Sequence, residues 1–246
     1  MSKKFKSSIS NSPLEPVPAS PDFISGNLIR EVGGILNNPS FEQIEVIEHS
    51  NFKPFLRREI AGNQGWGLIA KMYQGIGLLL VGFALIKAFA PYMTRRDTAS
   101  LEGLGMGVLF TFTILIVLHE MLHAIAYLSV GARKLSFGMN LKKFLFYVQA
   151  DRQVLNYKRF MIVALAPAVV VATVSLAGAI YFYGQPLYYF FMVLFGLHGL
   201  FCGGDFGLLC FFENRKDDEI YTFDVKSEGK TYFYKRKTTG PQPPKD

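Results

Sequence analysis

The sequence predicts an α-helical polytopic membrane protein with four transmembrane helices, a short cytosolic β-hairpin after the second helix and a C-terminal hairpin. Half of the 246 residues are hydrophobic and the mean hydropathy is +0.23. This composition is too apolar for an ordinary soluble domain of this length. Four apolar runs reach the roughly 20 residues that a helix needs to cross a bilayer. They cover residues 72–93, 104–130, 160–183 and 187–212.

The distribution of basic residues predicts the orientation of these spans. Of the 26 Lys and Arg residues, 23 lie before the first run, in the 131–159 connection or after the fourth run. Only three lie near the loop between the first and second runs, and the third-to-fourth connection has none. Cytosolic loops carry the excess of Lys and Arg, so we expect both termini and residues 131–159 in the cytosol. A net charge of +7 could indicate a nucleic-acid partner in a soluble protein. Here the basic residues flank apolar runs and are explained by orientation in a membrane, so no nucleic-acid partner is expected.

The chain divides into four predicted regions around the membrane core. Residues 1–21 are rich in Ser, Asn and Pro, contain no apolar run that resembles a secretory signal, and are predicted to be a disordered tail. Residues 22–71 are predicted to be a cytosolic amphipathic helical segment. Residues 72–212 form the four-span core, and residues 213–246 form a cytosolic tail that contains the C-terminal hairpin.

Within the amphipathic segment, Ser40 followed by Gln43 resembles a capping box that opens a helix. Phe41, Ile44 and Ile47 follow at intervals of three, which is typical of the buried stripe of a helix. We therefore expect a short helix here that packs within a cytosolic helical unit.

Two polar connections show the alternation that is typical of strands. Leu135, Phe137, Met139 and Leu141 alternate with more polar or smaller residues, and the alternation resumes after two lysines. A period of two predicts a hairpin directly after the second span. A second hairpin is predicted at 219–236, with its turn near 227–230.

The most specific pattern in the chain is His119-Glu120-Met121-Leu122-His123, which lies inside the second apolar run. Residues four apart share one face of a helix, so both imidazoles can point at one metal ion. Glu120 is then placed to accept a proton from a water molecule at that ion. Ionisable residues are costly inside a membrane span, and a functional site gives a reason for that cost.

A third metal ligand is expected, because catalytic zinc usually has three protein ligands. The metzincin spacing would need His at position 129, where the chain has Ser129. Asp205 is preferred, because it lies in the fourth run, seven residues before its end, at a depth that matches the two histidines. Asp151 and His198 remain alternatives. His198 could instead hydrogen-bond to a metal ligand or handle protons, or it could be a core histidine that is hydrogen-bonded to a backbone carbonyl.

Small residues surround Asp205 in the fourth run. Gly199, Gly203 and Gly207 recur every four residues, so we expect this helix to approach a neighbour closely. Cys202 and Cys210 lie in the same run and do not form a disulfide framework or a zinc pattern. They are interpreted as small buried hydrophobic residues.

The motif helix, Ala166-Pro167 in the third run and Gly204-Asp205 in the fourth resemble the zincin peptidases of the DUF3267 class, which are distantly similar to site-2 proteases. The resemblance covers about residues 104–215. It implies that His119, His123 and Asp205 bind zinc and that Glu120 is the catalytic acid and base.

Three functional hypotheses follow. The first is a membrane-embedded zinc metallopeptidase that hydrolyses peptide bonds of a membrane protein or peptide in or next to the lipid bilayer. The first hairpin could bind an extended substrate, or it could be a structural element that covers the site. The second is a non-catalytic metal-binding membrane scaffold or regulator, which would not need Glu120. The third is a small transporter, which the absence of an internal repeat disfavours. His, His and Asp could also hold iron or cobalt, but Zn²⁺ is the expected cofactor.

Overall fold

The computed structural model describes residues 32–140 and 145–237. The predicted tail at 1–21 lies outside the described residues, as do residues 22–31 of the predicted amphipathic segment and the end of the C-terminal tail after 237. At positions 139, 140, 145 and 146, which flank the gap, the structure describes the backbone alone.

The described chain is mostly helical. Its helices are α1 Gly33–Leu36, α2 Phe52–Ala61, α3 Trp66–Arg95, α4 Ala99–Phe110, α5 Ile116–Ser129, α6 Tyr157–Tyr181, α7 Pro186–Phe201 and α8 Gly203–Glu213. A π-helical turn at Thr111–Leu115 joins α4 to α5, so the two form one continuous helix.

Within residues 32–140 and 145–237, three helices are long and apolar enough to cross a membrane, and the number rises to four if α7 and α8 are one broken span. The three are α3, the continuous helix α4–α5, and α6. Their outer faces carry large exposed apolar side chains, such as Leu79 at 75%, Ile86 at 73% and Leu109 at 66% exposure. Apolar surface of this extent is unusual on a soluble protein, but it suits contact with lipid.

The helices pack closely where glycines face each other. A Cβ atom added to Gly196 of α7 would lie 2.4 Å from the carbonyl oxygen of Gly77 in α3. A Cβ atom on Gly207 of α8 would lie 2.3 Å from Leu56 of α2. The prediction of close approach by the fourth span is therefore confirmed at Gly207. At Gly199 and Gly203, the same test gives ordinary contact distances of 3.5 and 3.4 Å.

Two small sheets complete the described part of the fold. The strands are β1 Phe41–Glu48, β2 Leu135–Asn140, β3 Leu145–Ala150, β4 Leu155–Asn156, β5 Ile220–Val225 and β6 Lys230–Arg236. Strands β2 and β3 form an antiparallel hairpin, and β5 and β6 form another that turns at Gly229 with φ of +61°. Both predicted hairpins are confirmed. The second hairpin belongs to a four-stranded antiparallel sheet with the order β1-β6-β5-β4.

The helix predicted from Ser40 onward is wrong, because residues 41–48 form strand β1. A bulge at Ile44 shifts the pairing of β1 with β6, so that Gln43 lies opposite Tyr234 and Glu45 opposite Phe233. An extra residue reverses the side-chain alternation. Phe41 therefore packs in a buried cluster with Ile35 and Phe223. Ile47 packs in a different buried cluster, with Phe55 and Phe233. The interval of three that suggested a helix comes from this bulge.

The four-stranded sheet gathers segments that are distant in sequence. Strand β1 precedes α3, β4 lies between α5 and α6, and β5 and β6 follow α8. These three parts of the chain must therefore lie at one end of the helices. At the other end, a Cβ atom on Gly103 of α4 would meet the backbone of Pro186 at 2.1 Å. The connections 96–98 and 182–185 thus share the end opposite the sheet.

Candidate metal centre

The two motif histidines lie one turn apart on the inner face of α5. Both are buried, with exposures of 6% for His119 and 8% for His123. Their Nε2 atoms are 3.1 Å apart and point to the same place. Helix α5 starts directly after the π-helical turn, a feature that recurs next to functional sites.

Asp205 faces this histidine pair from the first turn of α8. Its Oδ1 atom lies 3.2 Å from His123 Nε2, and its Oδ2 atom lies 3.5 Å from His119 Nε2. The side chain is 19% exposed. A carboxylate in the first helical turn is also stabilised by the partial positive charge of the helix N-terminus.

A break between α7 and α8 determines where Asp205 and His198 lie. The two helices meet at Cys202 with a bend of 46°. The side-chain amide of Gln74 in α3 donates to the Gly199 carbonyl at 3.2 Å, which provides a partner for a carbonyl near the end of α7. An unbroken helix would hold His198 two turns, or about 10 Å, from Asp205. The helix is broken at Cys202, and His198 and Asp205 each lie next to a different ring nitrogen of His119.

The donor atoms fit a zinc ion in both chemistry and spacing. Zinc binds His nitrogen and carboxylate oxygen at about 2.0–2.1 Å in a tetrahedral arrangement, which separates donors by about 3.4 Å. The distances among His119, His123 and Asp205 are 3.1–3.5 Å. The second ring nitrogen of His123, Nδ1, donates to the Val163 carbonyl at 3.0 Å, so its Nε2 is available as a ligand. In the described part of the chain, these three form one of two groups that could hold a metal.

Glu120 lies beside the centre without joining the donor set. Its Oε2 atom accepts a hydrogen bond of 2.9 Å from the backbone N–H of Val148 in β3. The hairpin β2–β3 therefore lies against the motif helix. Glu120 is therefore held against this hairpin, directly after His119 in the motif helix.

Asp151, one of the alternative third ligands, lies elsewhere. It forms an isolated bridge with Asp224 at the edge of the four-stranded sheet, and its Oδ1 atom accepts from the Lys226 backbone at 2.8 Å. It is not a member of either donor group in the described residues. The structure thus brings together the preferred set and leaves Asp151 out.

Sequence reasoning missed a polar role for Cys202. It is fully buried, as expected, but its sulfur lies 3.6 Å from His198 Nδ1. His119, His198 and Cys202 form the second donor group. His198 and Cys202 are four residues apart, like His119 and His123, so the same helical spacing could have revealed the pair.

Part of the chain also matches the model of a known protein family. Residues 112–218 match the model of the DUF3267 family, whose description is "Putative zincin peptidase". This match confirms the resemblance seen in the sequence, and it spans every donor described above as well as Glu120. A comparison with curated proteins gives no match, and a comparison with solved structures gives none either.

Proposed function

We propose that this protein is an integral membrane zinc metallopeptidase that hydrolyses peptide bonds in or next to the membrane. His119, His123 and Asp205 hold the zinc, and Glu120 is the catalytic acid and base. One observation carries the proposal: three donors of the type that zinc prefers converge at 3.1–3.5 Å, and the carboxylate of Glu120, which is not among them, follows His119 in the same helix. The match of residues 112–218 to a zincin peptidase family supports the same assignment.

Zinc in this position would polarise the scissile carbonyl and lower the pKa of the attacking water. Glu120 takes the proton of that water and passes it to the amine nitrogen that leaves when the peptide bond breaks. The Val148 N–H holds Oε2 of Glu120, so Oε1 is the oxygen left to receive the proton. The hydrogen bond from His123 to the Val163 carbonyl fixes the orientation of that imidazole.

The substrate class follows from the hairpin and the apolar surface. Val148 directs its N–H away from β2 toward Glu120, so the edge of β3 that is not paired with β2 faces the centre. An extended peptide that adds to this edge would present its backbone close to Glu120. A transmembrane helix hides its peptide bonds within its own hydrogen bonds, so the substrate is a membrane protein or peptide that is locally unwound.

The orientation is part of the proposal. The sheet gathers the N-terminal segment, the 131–159 connection and the C-terminal segment at one end of the helices. Those segments contain 23 of the 26 basic residues. By the positive-inside rule, this end and both termini face the cytosol.

Quantitative proteomics of membranes tests the peptidase against a non-catalytic metal-binding scaffold. Cells that produce wild type are compared with cells that produce Glu120→Gln, which keeps the side-chain shape but cannot act as a base. Glu102→Gln is the matched control, because Glu102 lies in the first turn of α4 at the opposite end of the same helix. Full-length substrates should accumulate in Glu120→Gln alone. Identical membranes for all three, with zinc bound in each, would favour the scaffold.

A further inference from the structure

His119 extends the centre through its second ring nitrogen. Its Nδ1 atom lies 3.0 Å from Nε2 of His198, and Nδ1 of His198 lies 3.2 Å from the hydroxyl of Tyr73. These contacts link α5, α7 and α3 in one chain of polar groups. Tyr73 lies outside the residues that match the zincin family. Helix α3 thus reaches the centre by a route that the family match does not include.

We propose that His198 and Tyr73 are positioning residues that fix the tautomer and the ring orientation of His119 and thereby set the zinc affinity. The inference rests on the zinc centre of the proposed function. An imidazole that binds zinc through Nε2 carries its proton on Nδ1. His119 then donates to His198 Nε2. His198 consequently carries its own proton on Nδ1 and donates to the Tyr73 oxygen.

The chain can run in two directions, and only one is compatible with the metal. In the opposite direction, Tyr73 donates to His198 and His198 donates to His119, whose remaining proton then lies on Nε2. That proton would occupy the position that faces His123 and Asp205. Zinc binding therefore selects the direction in which His119 donates. His198 is fully buried, so water cannot easily replace it as the acceptor.

A second metal ion is the main rival explanation for the same residues. Cys202 lies 3.8 Å from His198 Nε2, and these atoms form a donor group with His119. Two ions would need both ring nitrogens of His119 at once, which requires loss of the last imidazole proton. They would also need a thiolate in a fully buried position. The chain of neutral hydrogen bonds avoids both costs.

Zinc affinity of the purified full-length protein in detergent tests the inference without relying on activity. It is measured by competition with a chromophoric chelator. His198→Leu removes the acceptor and should weaken zinc binding by about 10–100-fold, the usual cost of losing such a partner of a metal ligand. His198→Gln keeps an acceptor near Nε2 and should restore most of the affinity. Tyr73→Phe should give a smaller loss, and Tyr92→Phe, on the same helix, should have no effect.

Each other outcome decides against the inference. Equal zinc affinity in wild type and His198→Leu would overturn it. Equal losses of zinc affinity in His198→Leu and His198→Gln, together with lower melting temperatures of both zinc-free variants, would also overturn it, because they would show that His198 only supports the fold. Two zinc ions per chain in wild type, with one lost in Cys202→Ala, would establish the second metal site instead. A wild type that binds no zinc would overturn the proposed function as well, whereas normal zinc binding that the variants leave unchanged overturns only this inference.

Discussion

The backbone N–H of Val148 donates to Oε2 of Glu120 at 2.9 Å and so connects strand β3 to the motif helix α5. Val148 lies opposite Phe137 in the hairpin, and its N–H points away from β2. The hydrogen bond therefore adds nothing to the pairing of the two strands. Its consequence is that one carboxylate oxygen of Glu120 is fixed by strand β3.

Val148→Pro tests this contact, because proline removes the N–H at a position where the strand ladder does not use it. We expect zinc content to stay at the wild-type level and peptidase turnover to fall by about tenfold, since a general base acts only within hydrogen-bond reach of its proton. Val148→Ala keeps the N–H and is the matched control for the loss of the side chain. Equal turnover in the Pro and Ala variants would show that the N–H does not position Glu120.

A buried ion pair fastens α2 to the end of α8. Glu59 is 3% exposed and accepts hydrogen bonds from Arg215 at 2.9 Å, Asn214 at 3.0 Å and Arg58 at 2.8 Å. Burial raises the pKa of the Glu59 carboxyl, but the hydrogen bonds from Arg215, Asn214 and Arg58 outweigh burial and hold this pKa below its ordinary value. The carboxylate form is therefore favoured in the folded protein.

Because its folded pKa is lowered, Glu59 stabilises the fold above the pKa of about 4.3 that an unfolded Glu has, and this stabilisation is lost as the pH falls through the folded pKa. Glu59→Gln should lower the unfolding free energy by about 1–3 kcal/mol near pH 7, less than for a fully buried pair because Arg215 is partly exposed. Thermal melting in detergent measures it. The difference in unfolding free energy between Glu59→Gln and wild type should become smaller below about pH 4. Glu42→Gln, which removes an exposed pair with Lys235, should change little.

Accessibility of introduced cysteines checks the orientation. In a background without Cys202 and Cys210, an impermeant maleimide should label Asp97→Cys and Gln185→Cys on intact cells. Lys226→Cys, in the turn between β5 and β6, should react only after permeabilisation. The reason is that the strands of the sheet come from the stretches of the sequence in which most of the basic residues occur. Labelling of Lys226→Cys on intact cells would invert the topology and place the centre nearer the outer surface.

The sequence predicts those features that depend on one local pattern. Span length, the alternation in 135–141 and the depth of Asp205 each follow from spacing along a regular helix or strand. Strand β1 could not be predicted, because the bulge at Ile44 gives a strand the apolar spacing of a helix and its partner β6 is almost 200 residues away. The contact between His198 and His119 was hidden for another reason. It depends on how α5 and α7 pack in three dimensions, because the two residues are 79 positions apart in the sequence.

The last prediction separates a ligand from a catalyst at two neighbouring carboxylates. Asp205→Ala should lower both zinc content and activity, because one of three protein ligands is lost. Glu120→Gln should keep about one zinc per chain and lose activity, because Glu120 contacts Val148 and is not among the three converging donors. Zinc per chain is measured by elemental analysis of purified protein under non-chelating conditions. Asp151→Ala is the matched control, since this aspartate lies in the sheet and should leave zinc unchanged. Full zinc in Asp205→Ala would show that Asp205 is not the third ligand, and loss of zinc in Glu120→Gln would make Glu120 a ligand.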